Sequence, residues 1–84
     1  MIIFTKHSRD KFRILRKHKF IVSEEKVLET LNRPDLIDYS RLPLFIAQKK
    51  FDRSHVLRVV YKKEQGNMKV ITFYPGRLKN YGKK

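Results

Sequence analysis

The sequence predicts an α+β fold: two helices packed on one face of a small antiparallel sheet, in the order β-α-α-β-β-β. Three observations predict it. Thr5 and Ser23 are each good helix caps, and each precedes a stretch with apolar residues at helical spacing. From Leu44 onward the chain is rich in β-branched and aromatic residues and broken by turn signals. A length of 84 residues suits one domain whose core supports two layers.

The elements follow in order. Ile2-Ile3-Phe4 is a short strand. The helix that Thr5 opens runs to about His18, with Phe12, Leu15 and Lys11 on one side and Ile14 and His18 flanking them. Lys6, Arg9, Arg13, Arg16 and Lys17 spread over its other side. Phe20-Ile21-Val22 is an apolar connector. Ser23 caps the second helix, and Glu24 and Glu25 sit in its first turn, where the helix dipole favours acids. Val27, Leu28 and Leu31 form its apolar face, and Asn32-Arg33-Pro34 ends it, since the residue before proline avoids helical angles. Residues 35–43 read as an irregular link. Strands follow over 44–51, 55–63 and 68–75, with Gly66 supplying a positive backbone angle for the hairpin between the last two. A basic tail over about 77–84 completes a single domain spanning 1–84.

Charge narrows the function. There are 21 Lys and Arg against 8 Asp and Glu, a net charge of +13. Self-repulsion of that size costs stability, and a polyanionic partner offsets it. Glu24, Glu25, Glu29, Asp35 and Asp38 fall in one short segment, which is expected to face away from a polyanion. The absence of cysteine excludes disulfides and thiolate metal sites and makes a cytoplasmic address the default. The apolar runs are too short for a membrane span, Met1-Ile2-Ile3-Phe4 does not read as a signal peptide, and no membrane partner is expected. His7, His18 and His55 show no metal-ligand spacing, the strands hold no paired carboxylates, and no glycine-rich phosphate loop exists, so neither metal nor cofactor is expected.

Arg58 stands out as a cation in the middle of an apolar strand, where a phosphate or carboxylate partner is favoured. If the hairpin pairs Lys63 with Met68, Arg58 lies opposite Phe73, Val60 opposite Ile71 and Lys62 opposite Lys69 on one face. Leu57, Val59, Tyr61, Val70, Thr72 and Tyr74 then share the other. A bulge at Gly66 would shift this scheme by one residue. Lys49 and Lys50 are adjacent and point to opposite faces, so one of them joins Arg58. Tyr74 and Tyr81 are candidates to stack on a base or bond a phosphate.

Thr5-Lys6-His7, Ser23-Glu24-Glu25-Lys26-Val27, Leu57-Arg58-Val59-Val60-Tyr61 and Val70-Ile71-Thr72-Phe73-Tyr74-Pro75 together resemble a family of small prokaryotic domains similar to the RelE and BrnT toxins. The resemblance spans roughly residues 3–75. It implies a RelE-like fold and a metal-independent mRNA endoribonuclease of a toxin–antitoxin system. RNA, including ribosome-bound mRNA, and a small acidic antitoxin are the implied partners. The family's arginine three residues before a tyrosine is matched by Arg58 and Tyr61, which implies that Arg58 contacts the scissile phosphate. The implied catalytic set is Arg58, Arg77, Tyr81, Lys49 and Lys50. The charge pattern itself, apart from the resemblance, makes Arg9, Arg13, Arg16, Lys62, Lys69 and Lys79 the expected nucleic-acid contacts. The alternative is a non-catalytic accessory protein that binds RNA or DNA.

Overall fold

A computed structural model describes residues 1–78. Their order is β1 (Ile2–Phe4), α1 (Lys6–Lys17), α2 (Glu24–Asn32), β2 (Leu36–Asp38), β3 (Phe45–Lys50), β4 (His55–Glu64) and β5 (Asn67–Arg77). The class is α+β as predicted. The sheet has five strands in the order β1-β5-β4-β3-β2 and is antiparallel except for the parallel pair β1–β5. The expected irregular link over 35–43 contains β2, a three-residue edge strand on β3. So short a segment has no periodicity to read.

Both caps form. The Thr5 hydroxyl oxygen accepts the Ser8 N–H at 3.1 Å, and that of Ser23 accepts the Lys26 N–H at 3.1 Å. The exit from α1 is a six-residue closure: Phe20 N–H donates to Leu15 O and Lys19 N–H to Arg16 O, both at 2.9 Å. Lys19 accordingly takes the left-handed conformation, with φ 63°. Gln65 and Gly66 both have positive φ, which gives the two-residue β4–β5 hairpin the twist its strands require.

Both helices lie on one face of the sheet, α1 against β5 and α2 against β3 and β4. The core gathers Leu15, Val27 and Leu31 from the helices with Ala47, Leu57, Val59, Tyr61, Val70 and Phe73 from the sheet. Phe12 bridges the layers, 4.7 Å from Phe73 and 6.0 Å from Phe4 between ring centroids. The apolar face of α2 differs from the expected one. Thr30 is fully buried, its hydroxyl donating back to Lys26 O at 2.8 Å, while Leu28 is only half-buried. A threonine that satisfies its own hydroxyl on the helix backbone can occupy an interior position.

The β4–β5 ladder contains the main departure from the expected pairing. Lys63 does pair with Met68 and Lys62 with Lys69. The register then shifts: Tyr61 pairs with Val70 but Val60 with Thr72, leaving Ile71 as an extra residue. Beyond this bulge Arg58 pairs with Tyr74 and Val59 with Phe73. Phe73 therefore enters the core, and Thr72 and Tyr74 turn to the face of Arg58, the reverse of the sequence expectation. The extra residue sits at Ile71, not at Gly66. Contacts from the N-terminus secure it. Thr5 N–H donates to Val70 O at 3.2 Å and the Thr5 hydroxyl to Ile71 O at 3.3 Å, so the start of α1 holds the bulged carbonyls.

Burial ranks the α2 leucines. Leu31→Ala should destabilise by about 2–5 kcal/mol, the range for a core leucine, and Leu28→Ala by distinctly less. Chemical denaturation of the two variants checks the order; equal losses would refute it.

Candidate nucleic-acid interface

The face of the sheet turned away from the helices carries Arg58 near its centre. Across the ladders, Arg58 is paired with Gln48 on β3 and Tyr74 on β5. Its guanidinium uses both neighbours. Nε donates to the Tyr74 hydroxyl at 3.1 Å, Nη1 donates to Gln48 Oε1, and Nη2 reaches Asp38 Oδ2 at 3.4 Å. Gln48 is buried, and arginine can only donate, so the amide must present its oxygen. The guanidinium carbon also stands 5.8 Å from the Tyr74 ring centre. The arginine stem crosses β5 at Gly76, where an added Cβ would come within 3.2 Å of Arg58 Cδ. The strand's glycine thus leaves room for the arginine.

Arg58 is therefore fixed in direction, and its charge is partly matched. Each terminal nitrogen keeps one further N–H for a ligand. A cleft of about 230 Å³ beside it is lined by Gln48, Val56, Arg58, Gly76 and Arg77. The Tyr74 hydroxyl accepts from Arg58 and keeps its own hydrogen to donate.

Other cations share this face. Lys62 and Lys69 form a cross-strand pair and both contact Glu64, at 3.0 and 3.7 Å. Lys50 ends β3 opposite Val56, exposed, on the side of Arg58. Lys49 points the other way. Its Nζ donates to Arg33 O at 2.9 Å and pairs with Asp35 at 3.5 Å, closing the C-terminus of α2. Of the two lysines, Lys50 is the one that joins Arg58. Arg77 ends β5 opposite His55, three positions beyond Tyr74 and therefore in the helix-side row rather than the row of Arg58; it is exposed at the end of the sheet and borders the cleft there.

Several predicted residues stand apart. Tyr61, the tyrosine three residues after Arg58, is buried in the core on the helix side, stacked on Phe45 at 5.3 Å, and burial pushes its phenol pKa up. Where a strand is unbulged, as β4 is here, an odd spacing separates two side chains this way. Arg9, Arg13 and Arg16 lie on α1, in the layer on the opposite side of the sheet from Arg58. Arg9 stacks over Phe4 at 5.2 Å, and Arg13 contacts Asp10 at 3.7 Å. The α1 stripe and the Arg58 cleft thus belong to opposite sides of the sheet. Lys79 and Tyr81 lie outside the described residues. His7 and His18 are exposed on α1 and its cap, and His55 donates from Nδ1 to Asp52 at 3.0 Å. Among the described residues no group of three His, Asp or Glu side chains is placed to hold a metal ion, and no helix is long and apolar enough to cross a membrane.

The acidic segment does not simply face away from the cations. Asp38 reaches Arg58 from β2, and Asp35 accepts from the Lys50 backbone N–H at 3.1 Å while pairing with Lys49. Gln48 and Asp38 are the site residues that sequence reasoning missed. No local pattern marks them, because they meet Arg58 only through strand pairing.

The fold and site together define an α+β protein with a cationic, helix-free sheet face centred on a buttressed arginine. No family model, curated protein or solved structure matches the chain.

The carboxyls on this face predict an acid limb. Hydrogen bonds from Ser40, then the contact with Arg58, hold the Asp38 pKa below the usual carboxylate value; Lys62 and then Lys69 do the same for Glu64. A group with a lowered folded pKa binds its proton more readily when unfolded. Its stabilisation is therefore present above the ordinary carboxylate pKa and lost as the pH falls through the depressed value. The melting temperature should be nearly flat near neutrality and fall below about pH 4. Asp38→Asn should shrink that fall, and an unchanged acid limb in this variant would refute the linkage.

Proposed function

We propose that the chain is an RNA-binding, toxin-like protein whose helix-free sheet face takes a phosphodiester at Arg58 and cleaves the strand there without metal. The observation that carries this reading is the anchoring of Arg58 by Tyr74, Gln48 and Asp38, with donors left over beside a cleft. The resemblance to RelE and BrnT toxins supplies the reaction. A ribose 2′-hydroxyl attacks the adjacent phosphorus, the bond to the 5′-oxygen of the next nucleotide breaks, and a 2′,3′-cyclic phosphate forms. Negative charge grows on the phosphate oxygens as the attack proceeds. A guanidinium already held in place meets that charge without reorganising. The proton of the 2′-hydroxyl passes to water, Tyr74 gives its hydroxyl hydrogen to the leaving 5′-oxygen and regains one from water, and Lys50 and Arg77 draw the strand into the cleft. A small acidic antitoxin would compete for the same cations.

A second reading rests on the same contacts. Asp38 already meets the charge of Arg58, as it would in an accessory protein that binds RNA and leaves it whole.

Expression toxicity and translation-coupled mRNA cleavage in EDTA decide between them. Arg58→Ala should lower cleavage by about 10²–10³ while leaving the fold and most RNA affinity. Arg58→Lys should also be poor, because an ammonium lacks the planar donor pair. If wild type binds RNA but neither arrests growth nor cleaves, with or without ribosomes, the non-catalytic reading stands.

A further inference from the structure

Charge at the far end of the sheet is arranged differently from charge around Arg58. Arg58 has Asp38, Lys49 has Asp35, and Lys62 and Lys69 share Glu64. Among the described residues, Arg53 and Arg77 have no acidic partner, and neither does the ammonium of Lys50. These unmatched cations come together. Lys50 ends β3, Arg53 lies in the turn that follows, and Arg77 ends β5 opposite the first residue of β4.

The backbone beneath them is held firmly. Asp52 Oδ1 accepts the N–H groups of Ser54 and His55, both at 2.8 Å, and Ser54 O accepts the Leu78 N–H at 2.9 Å. Phe20 packs against Phe51 at 4.6 Å and His55 at 5.2 Å. Arg53 thus stands on an anchored turn and Arg77 on the strand end bound to it, both with unengaged guanidinium groups. Between them lies a cavity of about 530 Å³ lined by Arg53, Ser54, His55, Arg77 and Leu78. Arg77 also lines the cleft beside Arg58, so the two hollows share a wall.

We propose that Arg53 and Arg77 form a second phosphate subsite, which holds the phosphodiester next along from the one at Arg58 in a single-stranded RNA. This rests on the RNA reading above. Three residues of strand separate Arg58 from the level of Arg77, about 10 Å. The odd spacing also sets the two side chains in opposite rows of the sheet, so that Arg77 meets a phosphate of its own at the sheet's end. A ligand that fills both hollows must bend over Arg77. A single strand does so, whereas a duplex, with a persistence length of about 150 base pairs, resists it.

The test measures binding of a labelled single-stranded RNA octamer across a salt series. Arg53→Ser and Arg77→Ser should each weaken binding several-fold and flatten the log K against log salt slope by about 0.7, the loss of one contact on a single strand. Arg41 is the control: it is exposed in the loop that leads into β3, at the opposite end of that strand from Lys50, and Arg41→Ser removes the same charge. It should leave the slope unchanged. Equal losses from Arg53→Ser and Arg41→Ser would show diffuse attraction and overturn the subsite. If Arg58→Ala weakens binding while Arg53→Ser and Arg77→Ser match wild type, the subsite falls and the RNA reading survives. If wild type does not bind the octamer at low salt, both fall.

Discussion

The one-residue bulge at Ile71 decides what each face of the sheet carries. Without it, β5 would present Tyr74 to the helices and Phe73 to the outside. With it, Phe73 is fully buried beneath Phe12, and Tyr74 stands beside Arg58. The bulge costs a ladder pairing, and the start of α1 compensates: Thr5 donates to the carbonyls of both Val70 and Ile71. The same side chain caps the helix by accepting from Ser8, and Ser8, fully buried, donates its hydroxyl back to Thr5 O at 2.8 Å. A helix cap, a register shift and the assembly of the cationic face therefore share one residue. Thr5 is far in sequence from Arg58 yet bonds the bulge that gives Arg58 its strand neighbour.

Arg58 illustrates how a cation is kept within a sheet. Its neighbours along β4 are apolar, and its charge must find acceptors sideways. It finds three of different kinds: an amide oxygen, a phenol and a carboxylate. The carboxylate is the longest contact and comes from the short edge strand β2. Gln48 and Tyr74 belong to the longer flanking strands and hold the guanidinium plane. An anion entering the cleft therefore competes with the carboxylate, the partner of its own charge and the longest of the three contacts, while the orientation set by the other two persists.

Much of the fold was legible because its signals are local. Thr5 and Ser23 announce the helices, Asn32-Arg33-Pro34 closes the second, and Gln65-Gly66 makes the hairpin. Leu15, Val27 and Leu31 follow from periodicity. What was not legible depends on pairing between distant segments. β2 is three residues long and exists only against β3. The bulge is held by Thr5, and no pattern within β5 reveals it. Its consequences spread through the site: Tyr74 changed faces, and Gln48 and Asp38 entered unannounced. Arg58 was legible, because a mid-strand arginine is conspicuous in any register. Its partners were not, because register sets them.

The distribution of the acids gives the charge its direction. A chain of net charge +13 has too few carboxylates to match its cations everywhere. On the sheet they are spent at Arg58, at Lys49 and at the Lys62–Lys69 pair. Each pairing removes a local source of repulsion and also removes an attraction for anions. Lys50, Arg53 and Arg77 keep unmatched side-chain charge at one end of the sheet, because the acids nearest to them are already engaged, Asp52 by Ser54 and His55 and Asp35 by Lys49. Charge that is paired is held still and suits contact with a group whose position matters. Charge that is unpaired reaches further and suits capture. Under the RNA reading proposed above, a strand drawn across Arg77 toward Arg58 would meet the unpaired cations first and the buttressed arginine second.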